Sequence, residues 1–305
     1  MTVTRSGSFR LFRIVGIEVF LHWSWFVVAV FEINNRRGSY SSLAWNAAEY
    51  VVLFVIVLLH EFGHALACRQ VGGQANRIVL WPLGGVAFVS PPERPGATLW
   101  ALAAGPLVNL VLIPPALLLV VGSQSLGWGA AFPDVQHFLW AMVYLNVALL
   151  VFNLLPVYPL DGGQILRSLL WFALGRTRSL KVATMIGFAG ATALLVGAVF
   201  MVSVWMGAIA LFMLWACARS WKQAEAMSQL EALPRHPGFA CPACKAAPLI
   251  GAFWTCHHCR TSFDTFTTGA VCPQCQERFE TTGCAQCGAS RPMSEWVQPH
   301  PTSPV

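Results

Sequence analysis

Charge is what this 305-residue chain has least of: 10% of its residues are Asp, Glu, Lys or Arg, against 56% hydrophobic. So few charges cannot coat a soluble globule of this size, and the composition points to a mainly α, polytopic membrane helix bundle. Acidic groups are the scarcest. Before residue 221 the only Asp residues are Asp134 and Asp161, and the only Glu between residues 62 and 224 is Glu93. The formal charge of +6 comes from Lys and Arg scattered over loops. Without one basic face, no nucleic-acid partner is expected. Before residue 240 the only cysteines are Cys68 and Cys217, isolated in apolar surroundings and expected to be small buried hydrophobes. A cleavable leader is not evident. Residues 1–13 are basic and polar, but the apolar run that follows contains Glu18 and His22 and no small-residue cleavage site.

What is present is a series of apolar segments. A span needs about 20 such residues, and the candidates are 14–32, 47–68, 97–121, 136–155, 184–200 and 203–218, about six spans. Many tryptophans, among them Trp23, Trp25, Trp45, Trp128, Trp140 and Trp221, sit near the ends of these runs, where indoles anchor to the interface of a lipid bilayer. The charge-free stretch Val182–Ala218 reads either as one over-long helix or as a tight hairpin. The hairpin puts the basic clusters before the first span, between the second and third, after the fourth and after the sixth on one side. It therefore predicts a multi-pass protein of the cell membrane with both termini cytosolic.

The second run, VVLFVIVLLHEFGHALA, contains His60-Glu61-Phe62-Gly63-His64. On a helix, HExxH places two imidazoles on one face, able to hold zinc, with Glu61 as general base toward a water that the ion activates. Ionisable groups at membrane depth are costly and point to function. Two satisfied core histidines would instead leave polar side chains in hydrocarbon.

A catalytic zinc takes three protein ligands. The extended motif with Gly and His further along the helix is absent, since Ala67 and Gln70 stand there. Glu93 sits in a proline-bounded turn, and Cys68 lies eight residues from His60, about 12 Å along the axis and too far to share one ion. That leaves Asp161, in Asn153-Leu-Leu-Pro-Val-Tyr-Pro-Leu-Asp-Gly-Gly163. There two prolines end the fourth span and Gly162-Gly163 permits re-entry. The competing reading is an N-cap of a short helix over 163–174. Residues 78–90, IVLWPLGGVAFVS, read as two strands around a turn: either a connector or an edge on which an extended peptide can pair.

With these residues in view, the chain resembles the site-2 proteases, zinc intramembrane metalloproteases, in the branch of the sporulation factor IVFB. Supporting matches are Leu21-His22-Trp23-Ser24-Trp25, Trp81-Pro82-Leu83-Gly84-Gly85 and Ala104-Gly105-Pro106-Leu107-Val108-Asn109. The resemblance covers about residues 14–220. It implies that His60, His64 and Asp161 bind zinc, that Glu61 activates the water, and that Asn153 hydrogen-bonds the scissile carbonyl or developing oxyanion. Asn109 is expected either to order the site or to make an ordinary interhelical hydrogen bond. Where that branch often carries a nucleotide-sensing domain, this chain carries cysteines.

Four CxxC knuckles occupy 241–291: Cys241/Cys244, Cys256/Cys259, Cys272/Cys275 and Cys284/Cys287. Taken in sequence order, the first two and the last two each form a four-thiolate site, giving two structural zinc ions and a small cytosolic double zinc ribbon. The expected organisation is a protease domain over 1–220, a linker over 221–240, the ribbons over 241–291 and a disordered tail over 292–305. The function read from all this is cleavage of transmembrane segments of other membrane proteins, with the ribbons as a site for a protein partner. The alternative is a non-enzymatic membrane scaffold or metal sensor, against which an intact Glu61 argues.

Overall fold

The stretch expected to be the first span is not one helix. The computed structural model describes residues 7–35, 38–81, 84–285 and 287–297. In it, β1 (Ser8–Ile14) and β2 (Ile17–His22) form an antiparallel hairpin, followed by α1, Ser24–Asn35. The reason lies in the side chains. Ile17, Val19 and Leu21 alternate with Glu18, Phe20 and His22, a period of two, and only the first set is buried. A spanning helix would hold Glu18 in lipid. The strand sets it 3.2 Å from Arg10 and opposite Arg77 in the neighbouring strand.

The chain divides into two units, 1–224 and 225–305. In the first, α2 (Leu43–Gln70) leads into β3 (Gln74–Trp81) and β4 (Gly84–Ser90); the Pro82-Leu83 turn between them lies outside the described residues. The sheet order is β1-β2-β3-β4, with β2 and β3 parallel. Its buried face, with Ile17, Val19, Leu21, Ile78 and Leu80, packs on Val57, Ala65 and Cys68 of α2. The cysteine is thus a buried packing residue, as its apolar setting implied. His22 stacks on Trp81 with ring centroids 4.2 Å apart and shares a hydrogen bond with Ser24, so it serves the sheet-to-helix corner.

The remaining helices are α3 (Pro95–Ser125), α4 (Trp128–Ala131), α5 (Pro133–Leu154), α6 (Asp161–Leu174), α7 (Arg176–Phe200) and α8 (Val204–Ala232). Among the described residues five helices, α2, α3, α5, α7 and α8, are long and apolar enough to cross a membrane; α1 has 12 residues, about 18 Å. Exposed Leu110, Val111, Leu118 and Leu119 on α3, with Val199 and Phe200 on α7, give the bundle the apolar exterior that lipid requires. This is a multi-pass membrane protein. The charge-free stretch 182–218 is two helices broken at Met201-Val202-Ser203, where Val202 takes a left-handed φ of 52°.

Pairing of β2 with β3 puts residues 17–22 and 74–81 at one end of the bundle. At the other, the Ser41 backbone N–H donates to Asp134 at 3.2 Å and the Tyr40 hydroxyl to Glu49 at 2.8 Å. These contacts separate residues 17–22 and 74–81 from residues 40, 41 and 134 at the two ends.

Helix α8 runs on to Ala232, through the first part of the expected linker 221–240, and crosses into the second unit at residue 225. Beyond it, β5 (Trp254–Thr255) pairs with β6 (Ser262–Phe263), and β7 (Thr282–Gly283) with β8 (Ser290–Arg291). Met293–Trp296 is a 3-10 helix, and Trp296 is 1% exposed, packed with Phe266, Cys241 and Cys284. Residues 292–297 therefore belong to the folded unit, a departure from the expected tail. A large indole is what so small a domain needs to build a core.

Candidate active site and metal centres

Three helices contribute to the membrane site. His60 and His64 lie one turn apart on α2 and are 3% and 6% exposed. Asp161 opens α6, and Leu160, not Asp161, occupies the N-cap position of that helix. The carboxylate turns into the bundle, with Oδ2 2.9 Å from His60 Nε2 and 3.2 Å from His64 Nε2. The two Nε2 atoms are 3.1 Å apart. Gly162 and Gly163 make this approach possible. A Cβ on Gly162 would come within 2.4 Å of the Leu154 and Leu155 carbonyl oxygens, and one on Gly163 within 2.3 Å of the Tyr158 nitrogen. The tight re-entry read from the two glycines is a close passage of α6 against residues 154–158.

Helix α3 supplies what surrounds the imidazoles. Ala101, Gly105 and Asn109, spaced by four, share one face and run antiparallel to the His60–His64 turn. His64 Nδ1 donates to the Ala101 carbonyl at 2.8 Å and His60 Nδ1 to Asn109 Oδ1 at 2.5 Å. Both rings thus spend their N–H on Nδ1 and present bare Nε2 lone pairs to each other and to Asp161 Oδ2. Three acceptors at about 3 Å repel unless a cation lies among them. Zinc bonded at about 2.0–2.1 Å in a tetrahedron sets its ligand atoms about 3.3 Å apart, close to the 2.9, 3.1 and 3.2 Å found here. The residues present fit a zinc ion.

Between those partners, Gly105 faces the ligand atoms. A Cβ there would lie 2.3 Å from His64 Nε2 and 2.7 Å from His60 Nε2. On the α2 side, Gly63 lets the helices close, since its Cβ would meet the Ala104 carbonyl at 2.7 Å. The sequence showed Gly105 only as part of a supporting motif, left Asn109 between ordering the site and an ordinary interhelical hydrogen bond, and did not show Asn146 at all. No spacing rule reaches across helices, although a polar residue in the apolar run 136–155 was a visible signal. Asn146 is 2% exposed and hydrogen-bonded to Asn109. Glu61 is buried on α2 beside His60, and Asn153 is half-buried in the last turn of α5.

The cysteines group differently from the expected order. Cys241 and Cys244 meet Cys284 and Cys287, while Cys256 and Cys259 meet Cys272 and Cys275. One site is nested inside the other. The cross-knuckle sulfur distances are 3.7, 3.8, 3.6 and 3.5 Å. Those values are far beyond a disulfide at about 2.05 Å. They approach the roughly 3.8 Å edge of a tetrahedron with Zn–S of about 2.3 Å. Each knuckle closes on a hydrogen bond from the residue after it and a left-handed φ: Lys245 at 61°, Arg260 at 64°, Gln276 at 60° and Gly288 at 73°. Spacer counting does not register the tail, which packs beside the outer pair of knuckles. Ala240 N–H donates to the Trp296 carbonyl at 2.8 Å and Phe239 bridges Val297, which joins the first knuckle to the last. His257 packs on Phe279 with centroids 5.3 Å apart and stands outside both cysteine groups.

Asp264 organises the turn between β6 and the third knuckle. It accepts from the Gly251 N–H at 2.8 Å, the Phe266 N–H at 3.0 Å and His236 Nε2 at 2.8 Å. Partial burial raises its pKa, but these donors outweigh that and hold the carboxyl below its usual range.

The nested grouping predicts how cysteine variants pair. Cys284→Ser should release the same metal ion as Cys241→Ser, and Cys272→Ser the same as Cys256→Ser. Metal counts by native mass spectrometry of single and double variants check this. A Cys241/Cys256 double variant losing only one ion would restore the sequential arrangement.

Residues 48–134 and 129–197 match Peptidase family M50, a region that contains every membrane-site residue described above. A zinc metalloprotease of Methanocaldococcus jannaschii is 35% identical over 184 residues, 59% of this chain and 50% of the relative. Stage IV sporulation protein FB of Bacillus subtilis is 35% identical over 118 residues, 37% of each chain. This chain thus spans half the length of the archaeal relative. Among solved structures, the site-2 protease from Methanocaldococcus jannaschii superposes with a TM-score of 0.52 at 29% identity, covering 70% of this chain and 95% of that one. With the matched motifs, the converging His60, His64 and Asp161 and the shared fold, the chain belongs to peptidase family M50, the site-2 proteases.

Proposed function

We propose that this protein is an intramembrane zinc endopeptidase that cleaves peptide bonds in or near transmembrane segments of other membrane proteins. One observation carries the reading: two bare imidazole nitrogens and a carboxylate oxygen converge within 3.2 Å inside an apolar bundle, next to a buried Glu. His60, His64 and Asp161 would hold the ion. When bound, zinc supplies Lewis-acid polarisation of a carbonyl and acidifies a water. Glu61, one residue from His60, accepts the water's proton and returns it to the leaving amine. Asn153 offers an amide N–H to the charge that develops on the carbonyl oxygen. A substrate helix must unwind to expose its carbonyl. β4, at an edge of the sheet packed on α2, offers free backbone groups on which the extended segment pairs.

The two four-cysteine groups would each hold a structural zinc, three ions per chain in all, and would form a separable module for recruiting a protein partner. Positive charge in the loops at the sheet end supports a topology with that end, both termini and the ribbons in the cytosol.

Two measurements test this reading. Purified full-length protein in detergent should cleave a model transmembrane substrate, lose the activity to a chelator and regain it with zinc. Asp161→Ala should lose both the ion and the cleavage, because two histidines hold zinc poorly. Cleavage that ignores the chelator, or full zinc occupancy without Asp161, would defeat the assignment. Epitope tags near residues 128 and 234 should be reached by antibody in intact cells only at 128. Access at 234 would reverse the topology.

A further inference from the structure

An imidazole ligates zinc through whichever nitrogen lacks a proton, and the partner of the other nitrogen decides which that is. For His64 the partner is the Ala101 carbonyl, a group that can only accept, so Nδ1 must carry the proton. His60 has no such partner. It faces the side-chain amide of Asn109, which presents either an oxygen or an NH2 group depending on a half-turn. With the NH2 group toward Nδ1, the His60 proton would sit on Nε2. It would then point at His64 and Asp161, where ligation needs a lone pair. Asn109 by itself does not choose.

The choice is made on α5. Asn146 Nδ2 lies 2.8 Å from the Asn109 main-chain oxygen, which can only accept, so the nitrogen of Asn146 must face it. Asn146 Oδ1 then faces the Asn109 side chain at 2.7 Å and can only accept, so Asn109 must present Nδ2 to it. This leaves Asn109 Oδ1 for His60 Nδ1, at 2.5 Å. Asn109 and Asn146 are 0% and 2% exposed, so a reversed amide would find no water to satisfy it. We propose that Asn146 is a positioning residue: it holds the Asn109 amide in the one orientation that keeps the His60 proton on Nδ1 and leaves Nε2 free for the metal. The relay is anchored at a backbone carbonyl, which cannot turn over. The inference rests on the reading of His60, His64 and Asp161 as a zinc centre.

The test follows zinc loss from the full-length protein in detergent under chelator challenge, by native mass spectrometry, with the cysteine-held ions as an internal control for folding. Asn146→Leu should lose the membrane-site ion about tenfold faster than wild type, the lower end of what outer-shell partners contribute. Asn146→Ser should behave similarly, because a hydroxyl either donates or accepts and dictates no orientation, and it disturbs packing less. Asn109→Asp keeps an acceptor toward His60 whichever way it turns. In that background Asn146→Leu should therefore add less than about twofold. An equal loss in both backgrounds would make Asn146 a packing residue and overturn the proposal, as would wild-type retention in Asn146→Ser. A wild-type protein holding no ion beyond those of the cysteines would instead sink the zinc-centre reading, and this inference with it.

Discussion

Glu61→Gln is expected to slow cleavage by about 10³-fold, within the range that a positioned general base contributes, while the membrane-site ion stays bound. Glutamine preserves the size and hydrogen-bonding shape of the side chain but cannot take up a proton near neutral pH. The three ligand atoms and the outer partners, Ala101 and Asn109, are untouched. The loss should therefore fall on turnover and not on zinc content. Rates with a model transmembrane substrate, measured beside metal counts on the same preparation, separate the two. Zinc disappearing together with activity would mean that Glu61 supports the site in place of acting on the substrate.

Gly105→Ala should have the opposite signature, losing ion and activity together in a protein that remains folded. The new methyl carbon would stand 2.3 Å from His64 Nε2 and 2.7 Å from His60 Nε2, far inside van der Waals contact. Because it projects from helical backbone, the imidazoles would have to move, and moving them pulls Nδ1 away from the Ala101 carbonyl and Asn109. Helix α3 itself should not suffer, since Ala favours an interior helical position over Gly by about 1 kcal/mol. Circular dichroism should match wild type, and the cysteine-held ions should remain. Retained zinc and retained cleavage would show that the α2–α3 contact is looser than the structure has it.

Composition and motif spacing were enough to make this a multi-pass membrane protein with an HExxH centre, because both are local properties. A 28-residue apolar helix and an i, i+4 histidine pair need no partner to be recognised. Asp161 was legible for a rarer reason: so few carboxylates lie in the apolar region that elimination nearly sufficed, and the double glycine beside it marked a close approach. Residues 14–22 read as the start of a span because four apolar positions in the six of 17–22 look the same to a hydropathy window whether the period is two or 3.6. Glu18 and His22 were the residues that distinguished them.

What only the tertiary structure decided are relations between segments distant in sequence. Gly105 matters because α3 brings its backbone against two side chains of α2, and Asn146 because α5 brings its amide to Asn109. The four knuckles are equivalent in sequence. Their nesting brings Cys241 and Cys284 into one buried cluster with Trp296. Residue types and short-range spacing set which groups are able to bind a metal. Which groups meet, and which nitrogen of His60 carries its proton, follows from packing, since a hydrogen bond or a metal ligand acts over about 3 Å and only the folded chain brings such groups that close.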